Sequence, residues 1–394
     1  MRIVLTTESH LPYVSGVTIA VDALARGLGA LGHEVLVMAP RPKAGEPPGQ
    51  VGSSGPEPRY AWLESYQLPR LAPPSYRMPW PNPFAAALRE ARAFRPEVVH
   101  AHSPFVTGVL ARRLARGHRA PLVFTHHTRF ADYAHYLGPF AALGSRLTDA
   151  YVARFWAGCA AVIAPSGDLA AEISARSGVA RVEVIPTGID VAGIRALTPI
   201  DVRPAAGWPE EAVVVASLGR LAPEKSPLTV LDAVALAAAR DPRTRLLVIG
   251  GGPSEGALRA RAGAPDLAGR VHFTGPLPRV DALALLRGAD LFVFASRTET
   301  QGLVLAEALA AGLPSVAVDG PGVRDSLRDG IDGRVVAAEP AKGRAQRLGE
   351  ALAGLVGDPD ERRHIAERVG ADADRFALAR RVEEVAELYR SLLR

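Results

Sequence analysis

Leu291-Phe292-Val293-Phe294-Ala295 runs into Ser296-Arg297-Thr298-Glu299-Thr300-Gln301-Gly302 and then into Leu303-Val304-Leu305-Ala306-Glu307-Ala308-Leu309-Ala310-Ala311-Gly312-Leu313-Pro314. The order is a short apolar strand, a polar turn and a helix closed by Gly-Leu-Pro. A strand that passes so quickly into a helix is the repeating unit of a parallel α/β sheet. Working outward, Val213–Leu218, Arg245–Ile249, Val271–Thr274 and Ser315–Val318 are further apolar runs of strand length separated by helical patterns. Strands buried on both faces read as such continuous runs rather than as alternation. An earlier set comprises Ile3–Leu5, Val35–Met38, Val98–His100, Leu122–Phe124, Ala161–Ala164 and Val182–Ile185. Between the sets, Thr187 to Pro209 holds three prolines and interrupts the rhythm. The pattern predicts an α/β fold of two Rossmann-like parallel-sheet domains, which a chain of 394 residues is long enough to fill.

Outside these runs, Arg41 to Pro83 is rich in Pro, Gly and Ser and reads as a long loop or loose hairpin. At the other end, Phe376, Leu378, Val382, Val385, Ala386, Leu388 and Leu392 form a helical stripe within Ala371–Arg394 that needs a surface to cover. No run of about 18 uncharged apolar residues is present, and Met1 leads directly into a strand, so no membrane span or export leader is expected. The single Cys159 excludes an internal disulfide and suits a reducing cytoplasm. Residues 1–200 carry 20 Lys and Arg against 14 Asp and Glu, whereas residues 201–394 carry 26 against 27. The first half is therefore the basic one and suits an anionic partner such as a phosphate or an anionic lipid surface. One Asn, one Cys and three Met fit a thermophile, and equally a GC-rich genome.

The turn and helix that open this section place Glu299 and Glu307 about two helical turns apart, on nearly one face. They stand at the carboxyl edge of a sheet, where α/β proteins bind ligands. Carboxylates there accept hydrogen bonds from hydroxyls, and the N–H groups of a helix start favour an anion. Gly219-Arg220-Leu221-Ala222-Pro223-Glu224-Lys225 follows the first strand of the second set. Only three of the 46 basic residues are Lys, so Lys225 five places after Arg220 is unlike the chain's usual surface charge. Two fixed cations of this kind would stabilise negative charge that develops on an anionic group without a metal. In the first half, Ser15-Gly16 opens a helix after the first strand, and His100-Ala101-His102 and His126-His127 end two other strands. No Cys or carboxylate nearby completes a zinc site from these histidines, so no metal is expected. The Gly-x-Gly-x-x-Gly fingerprint of nicotinamide enzymes is missing after the first strand.

Together the Glu-x7-Glu pair, Gly302, Ala310-Ala311-Gly312-Leu313-Pro314, Gly219-Arg220 with Lys225, and the Ser15-Gly16 turn resemble glycosyltransferase family 4. These are retaining enzymes of the GT-B fold, and the resemblance spans nearly the whole chain. It implies two Rossmann-like domains facing across a cleft: residues 1–195 with helix 371–394 crossing back for the acceptor, and residues 196–370 for the donor. It further implies that Glu299 holds hydroxyls of the donor sugar and Glu307 the nucleotide ribose. Arg220 and Lys225 would sit on the diphosphate, and Gly16 would let backbone approach the phosphates. Pro276, Leu277, Thr300, Gln301, Gly302 and Leu303 would line the nucleotide-sugar site, with His127 beside the reacting sugar and His126 as its alternative. The acceptor hydroxyl would attack from the face that the leaving group vacates, without a protein nucleophile.

The nucleotide-diphosphate sugar is then a substrate and no cofactor is expected; UDP-glucose and GDP-mannose types stay open. His126-His127-Thr128 with Tyr133 and Tyr136 is most like the family's glycolipid-forming glucosyl and mannosyl branch, which puts His10, His126, Tyr133 and Tyr136 on the acceptor side. Residues 107–156 mix seven Arg with aromatic residues, as surfaces that rest on a membrane do. The expected partners are a membrane lipid such as diacylglycerol and an anionic bilayer at the inner face, with no nucleic acid. A soluble sugar acceptor, a sugar-nucleotide epimerase, and a non-catalytic GT-B binding protein are the competing readings.

Overall fold

The computed structural model describes residues 1–13, 15–43, 55–67, 76–82, 84–127 and 141–394. Tyr133 and Tyr136 lie outside them, as do residues 129–140 of the basic and aromatic stretch. Two compact units are present, Met1–Gly188 with Leu378–Arg394, and Ile189–Ala377.

In the first unit the strands are β1 (Arg2–Thr6), β2 (Glu34–Pro40), β3 (Arg59–Leu63), β4 (Ser65–Gln67), β5 (Arg77–Pro79), β6 (Val98–Ala101), β7 (Leu122–Thr125), β8 (Ala161–Ala164) and β9 (Val182–Val184). Seven of them form one parallel sheet in the order β3-β2-β1-β6-β7-β8-β9 among the described residues. Helices cover both faces, which is why Ile3, Val4 and Leu5 are all fully buried. Within Arg41–Pro83, β3 extends the main sheet beside β2, pairing Leu36 with Arg59 through Pro40 with Leu63, while β4 and β5 form a small antiparallel hairpin. The segment is thus more ordered than a loop. Tyr60 and Trp62 alternate with buried Ala61 and Leu63, a half-buried edge pattern lodged between prolines.

The terminal helix Leu378–Leu393 buries Val382, Val385, Ala386, Leu388 and Tyr389 in this unit, against Ile3, Leu5, Val21 and Ala25. Its approach to the helix Gly16–Ala30 is close enough that a Cβ at Gly27 would meet a Val382 methyl at 2.5 Å. Each large apolar side chain so buried stabilises by about 1.5–3 kcal/mol. Phe376, which the stripe includes, instead packs in the core of the second unit, because a 3-10 turn at Ala373–Phe376 separates it from the helix. For the same reason residues 371–377 go with the second unit, and so does the helix Val191–Ala196, whose Val191 and Ile194 fill that core.

Strands β10 (Val213–Leu218), β11 (Thr244–Ile249), β12 (Val271–Gly275), β13 (Leu291–Phe294), β14 (Ser315–Val318) and β15 (Gly333–Val336) build the second unit's parallel sheet, in the order β12-β11-β10-β13-β14-β15. In both sheets the strand order reverses at the first strand, between β1 and β6 and between β10 and β13. Ligands of open α/β sheets bind at the carboxyl ends of such strands. Each unit therefore offers one such position, and the sequence motifs fall on them.

Candidate active site

In the second unit, the β10 end leads through Gly219 and Arg220 into a 3-10 turn, Pro223–Lys225, and the helix Pro227–Arg240. The β13 end leads through Ser296–Gln301 to Gly302, which caps the helix Leu303–Ala310 at φ +73, a left-handed conformation that a side chain would strain. Glu299 therefore lies in the turn and not on the helix with Glu307, so the expected common face does not form. The turn brings together what the sequence separates by 74 residues: Lys225 Nζ donates to Glu299 Oε1 at 2.6 Å, with both side chains largely buried. The Arg220 guanidinium is half-exposed and has Glu224 Oε1 as a carboxylate neighbour at 3.7 Å. Glu224 itself is a residue that motif reading passed over. Its side chain is 5% exposed and neither oxygen has a hydrogen-bond donor among the described residues.

Glu307 is buried, and Arg279 Nη2 lies 2.6 Å from its Oε1. Arg279 starts the helix after Gly275-Pro276-Leu277-Pro278, so this pair ties the β12 turn to the β13 helix. Nothing in the sequence marks Arg279 as that partner. Leu277 is exposed, Leu303 packs partly against the core, and Gln301 is buried with its backbone oxygen accepting from Ser326 Oγ at 3.1 Å. Arg220, Lys225 and the N–H groups at the start of the helix Leu303–Ala310 are donors of the kind that suit an anion. Glu299 is a carboxylate that can accept from hydroxyls.

In the first unit, Ser15 caps the helix that starts at Gly16. Its Oγ accepts from Thr18 N at 3.2 Å, and Thr18 Oγ1 accepts from Ser15 N at 2.7 Å. His10 is buried edge-on against Tyr60 and Trp62. His126 is buried against Phe124 and Trp156. His127 takes a different direction from its neighbour, with its Nε2 2.8 Å from His102 Nδ1. His100 is fully buried, its Nδ1 2.5 Å from the Tyr389 hydroxyl of the terminal helix and its Nε2 2.7 Å from Thr125 Oγ1. Glu8, not singled out by any motif, receives Ser103 Oγ at 2.6 Å and Thr107 N at 3.2 Å. Burial holds its carboxyl above the ordinary value, against the opposing pull of those hydrogen bonds.

Burial pushes His127 down to about 4 and His100 down to about 3, and it carries His102 well below the ordinary value with help from the neighbouring histidines. In the unfolded chain the same rings take a proton near pH 6.5. Between the two values the unfolded state binds more protons, so stability is full above about pH 6.5 and falls as the pH drops below it. Each ring contributes a slope of up to about 1.4 kcal/mol per pH unit. The melting temperature is expected to fall from pH 7 to pH 5, above the carboxylate range, and less steeply in His100→Asn. A flat profile across that window would contradict neutral burial of the cluster.

Residues 14–192 match the model described as Glycosyltransferase Family 4, and residues 200–370 match Glycosyl transferases group 1. The alpha-monoglucosyldiacylglycerol synthase of Streptococcus pneumoniae is 28% identical over 372 residues, 92% of this chain and 80% of that protein. A phosphatidyl-myo-inositol mannosyltransferase of Mycolicibacterium smegmatis is 30% identical over 389 residues, 95% of this chain and 90% of its own. Among solved structures, HepE of Anabaena in complex with UDP superposes with a TM-score of 0.74 at 19% identity, covering 99% of this chain and 100% of that one, which places the fold as GT-B. With both halves matched in order and a relative of this identity covered almost end to end, the chain belongs to glycosyltransferase family 4, whose members move a sugar from a nucleotide-sugar donor.

Proposed function

We propose that the protein transfers a hexose from a UDP- or GDP-hexose to a hydroxyl of a membrane lipid, with retention of configuration and without a metal. The observation that carries the donor half is the Lys225–Glu299 pair, which sets a cation and a hydroxyl-binding carboxylate 2.6 Å apart beside Arg220 at the sheet's switch point. In this reading the acceptor oxygen bonds to the anomeric carbon as the bond to the diphosphate breaks, and the departing phosphate takes the acceptor's proton. Arg220 and Lys225 offset the charge that develops there, and His127 is the residue that the family resemblance assigns to the sugar. The test is transfer of labelled hexose from a panel of UDP- and GDP-sugars to diacylglycerol in mixed vesicles, in excess EDTA. One donor is expected to support transfer and to raise the melting temperature. Activity lost in EDTA and restored by Mg or Mn would overturn the metal-free reading. Sugar transferred to soluble acceptors alone would overturn the lipid one.

The lipid half is supported by the names of the two relatives, both of which carry a lipid, and by exposed side chains of the first unit. No described helix is long and apolar enough to cross a membrane. Yet Trp80, Phe84, Val109, Leu147 and Tyr151 are all exposed, at 55%, 72%, 55%, 64% and 40%. Arg113 lies over the Phe84 ring, and Val109, Arg113 and Arg116 follow one another at helical spacing on Val106–His118. Exposed aromatic and aliphatic groups set among arginines suit an anionic bilayer surface, where each Arg is worth about 1 kcal/mol and salt screens the attraction. Arg112 is a packing residue, donating to the Phe155 carbonyl at 3.0 Å and lying over its ring, so it is left intact in the test. The protein is expected to sediment with phosphatidylglycerol vesicles at low salt and to be released at high salt. The double variant Arg113→Ser, Arg116→Ser should bind several-fold more weakly. Equal binding by the variant would turn the reading towards a soluble acceptor.

A further inference from the structure

Arg279 and Glu307 make an ion pair that neither of their helices calls for. Glu307 sits in the helix Leu303–Ala310 among Leu305, Ala306, Ala308 and Leu309, all at 0% exposure, and its own side chain is 3% exposed. An apolar residue would serve stability at least as well there, since buried ion pairs are often no better than the hydrophobic groups that replace them. Arg279 opens the helix Arg279–Arg287, the end at which the helix dipole disfavours a cation. Its side chain is 17% exposed and places Nη2 2.6 Å from Oε1 of Glu307, its one ion-pair partner among the described residues. The backbone that carries Arg279 is anchored on both sides. Before it, Pro276 lies so close to Gly251 that a Cβ there would meet the proline ring at 2.9 Å, and Gly250 N donates to Gly275 O at 3.2 Å. After it, Ala282, Leu283 and Leu286 of the same helix are buried in the core of the second unit.

We infer that Arg279 is a positioning residue for the donor nucleotide: it fixes the Glu307 carboxylate so that the remaining acceptor sites of that group meet the hydroxyls of the ribose. The inference rests on the proposed binding of a nucleotide-sugar donor by the second unit, with Glu307 on the ribose. A carboxylate only accepts, and its two oxygens offer about four lone-pair sites, of which a guanidinium contact takes one or two. What is left matches a vicinal diol, which brings two O–H donors. The opposite arrangement would make Arg279 a latch that leaves Glu307 when the ribose arrives. Burial decides against the latch, because parting a buried carboxylate from its cation strands a charge, and two neutral hydroxyls do not replace the guanidinium. The pair therefore stays together and the ribose adds to it. Since Glu307 already matches the charge of Arg279, the effect of Arg279 falls on the ribose and not on the diphosphate.

Calorimetric titration of the whole chain with UDP, GDP and their 2′,3′-dideoxy counterparts tests this without turnover. For the base that binds, the parent is expected to prefer the ribose form roughly tenfold or more, as a site built around hydroxyls rejects an analogue that lacks them. In Arg279→Gln, affinity for the ribose form should fall roughly tenfold while affinity for the dideoxy form stays within about threefold of the parent, so that the preference collapses. In transfer assays the same variant should show a raised donor KM with kcat changed little. A merely structural role would weaken both forms together, since the diphosphate is held by the same unit, and that result would overturn the inference. Tighter binding of the ribose form by the variant would overturn it in favour of the latch. Should Arg279→Gln not fold, Arg279→Lys asks the same question, because it keeps the charge and loses the planar fork; an unchanged preference there would overturn the inference. The reading beneath fails separately: a parent that binds ribose and dideoxy forms alike takes Glu307 off the ribose and the inference with it, whereas a parent and a variant that discriminate equally remove Arg279 alone.

Discussion

Lys225→Ala is expected to lower turnover by roughly a hundredfold or more, the size of effect seen when one charge-stabilising donor is taken from a transition state. Two losses coincide. The cation that meets the leaving diphosphate disappears, and Glu299 loses the partner that holds its carboxylate at 2.6 Å. The fold should survive, since Lys225 and Glu299 lie in turns at the end of the sheet and not among the buried apolar side chains. A double-mutant cycle with Glu299→Gln tests the coupling. If the pair acts as one unit, the double variant should be little worse than Lys225→Ala alone. Near-normal transfer by a folded Lys225→Ala would remove Lys225 from the diphosphate site.

The largest expected effect on stability is at Tyr389, whose ring is completely buried in the first unit and whose hydroxyl lies 2.5 Å from His100 Nδ1. Truncation to Ala should cost about 3–5 kcal/mol for the lost packing and the cavity left behind. Stranding a buried His100 nitrogen adds about 1–3 kcal/mol. Tyr389→Phe keeps the ring and should show only the second part. Because the chain has two units, hydrogen exchange resolves the effect better than a single melting curve. Amides of β1 and of the helix Gly16–Ala30 should exchange faster in Tyr389→Ala, and those of β10 and β13 should not. A loss spread evenly over both units, or one below about 1 kcal/mol, would show that the terminal helix matters less than its burial implies.

Most strands were legible because parallel strands covered on both faces must be apolar throughout. Ala161–Ala164, Val213–Leu218 and Ser315–Val318 have the same bounds in the sequence reading and in the structure. Where the pattern is diluted, the reading stops. Arg59–Leu63 is an edge strand whose outward aromatics sit among prolines, and Gly333–Val336 starts with Gly and carries an Arg. At the site, residue types were legible and partners were not. A motif names Lys225 and Glu299 separately, but their contact depends on how two turns 74 residues apart are brought side by side. Ser103 on Glu8 and His102 on His127 are likewise products of sheet order, which places β1 beside β6 and β6 beside β7, while Arg279 on Glu307 joins the turn after β12 to the helix after β13, two strands that are not neighbours. Tyr133 and Tyr136 lie outside the described residues, so their acceptor role stays with the proposal.

The route of the chain also governs how the protein can be made. Ile3, Leu5, Val21 and Ala25 leave the ribosome before Ile189–Ala377, yet the side chains that cover them, Val382, Val385, Leu388 and Tyr389, leave after it. At about 5–20 residues per second, the whole of Ile189–Ala377 takes roughly 10–40 s to synthesise. Throughout that interval the nascent first unit carries an uncovered apolar face, while the second unit is contiguous and can close as soon as it emerges. The face is sealed only once the helix Leu378–Leu393 is released, so translation that stalls or stops near residue 378 leaves the first unit sticky. Chaperone demand during expression should therefore track the integrity of the helix Leu378–Leu393.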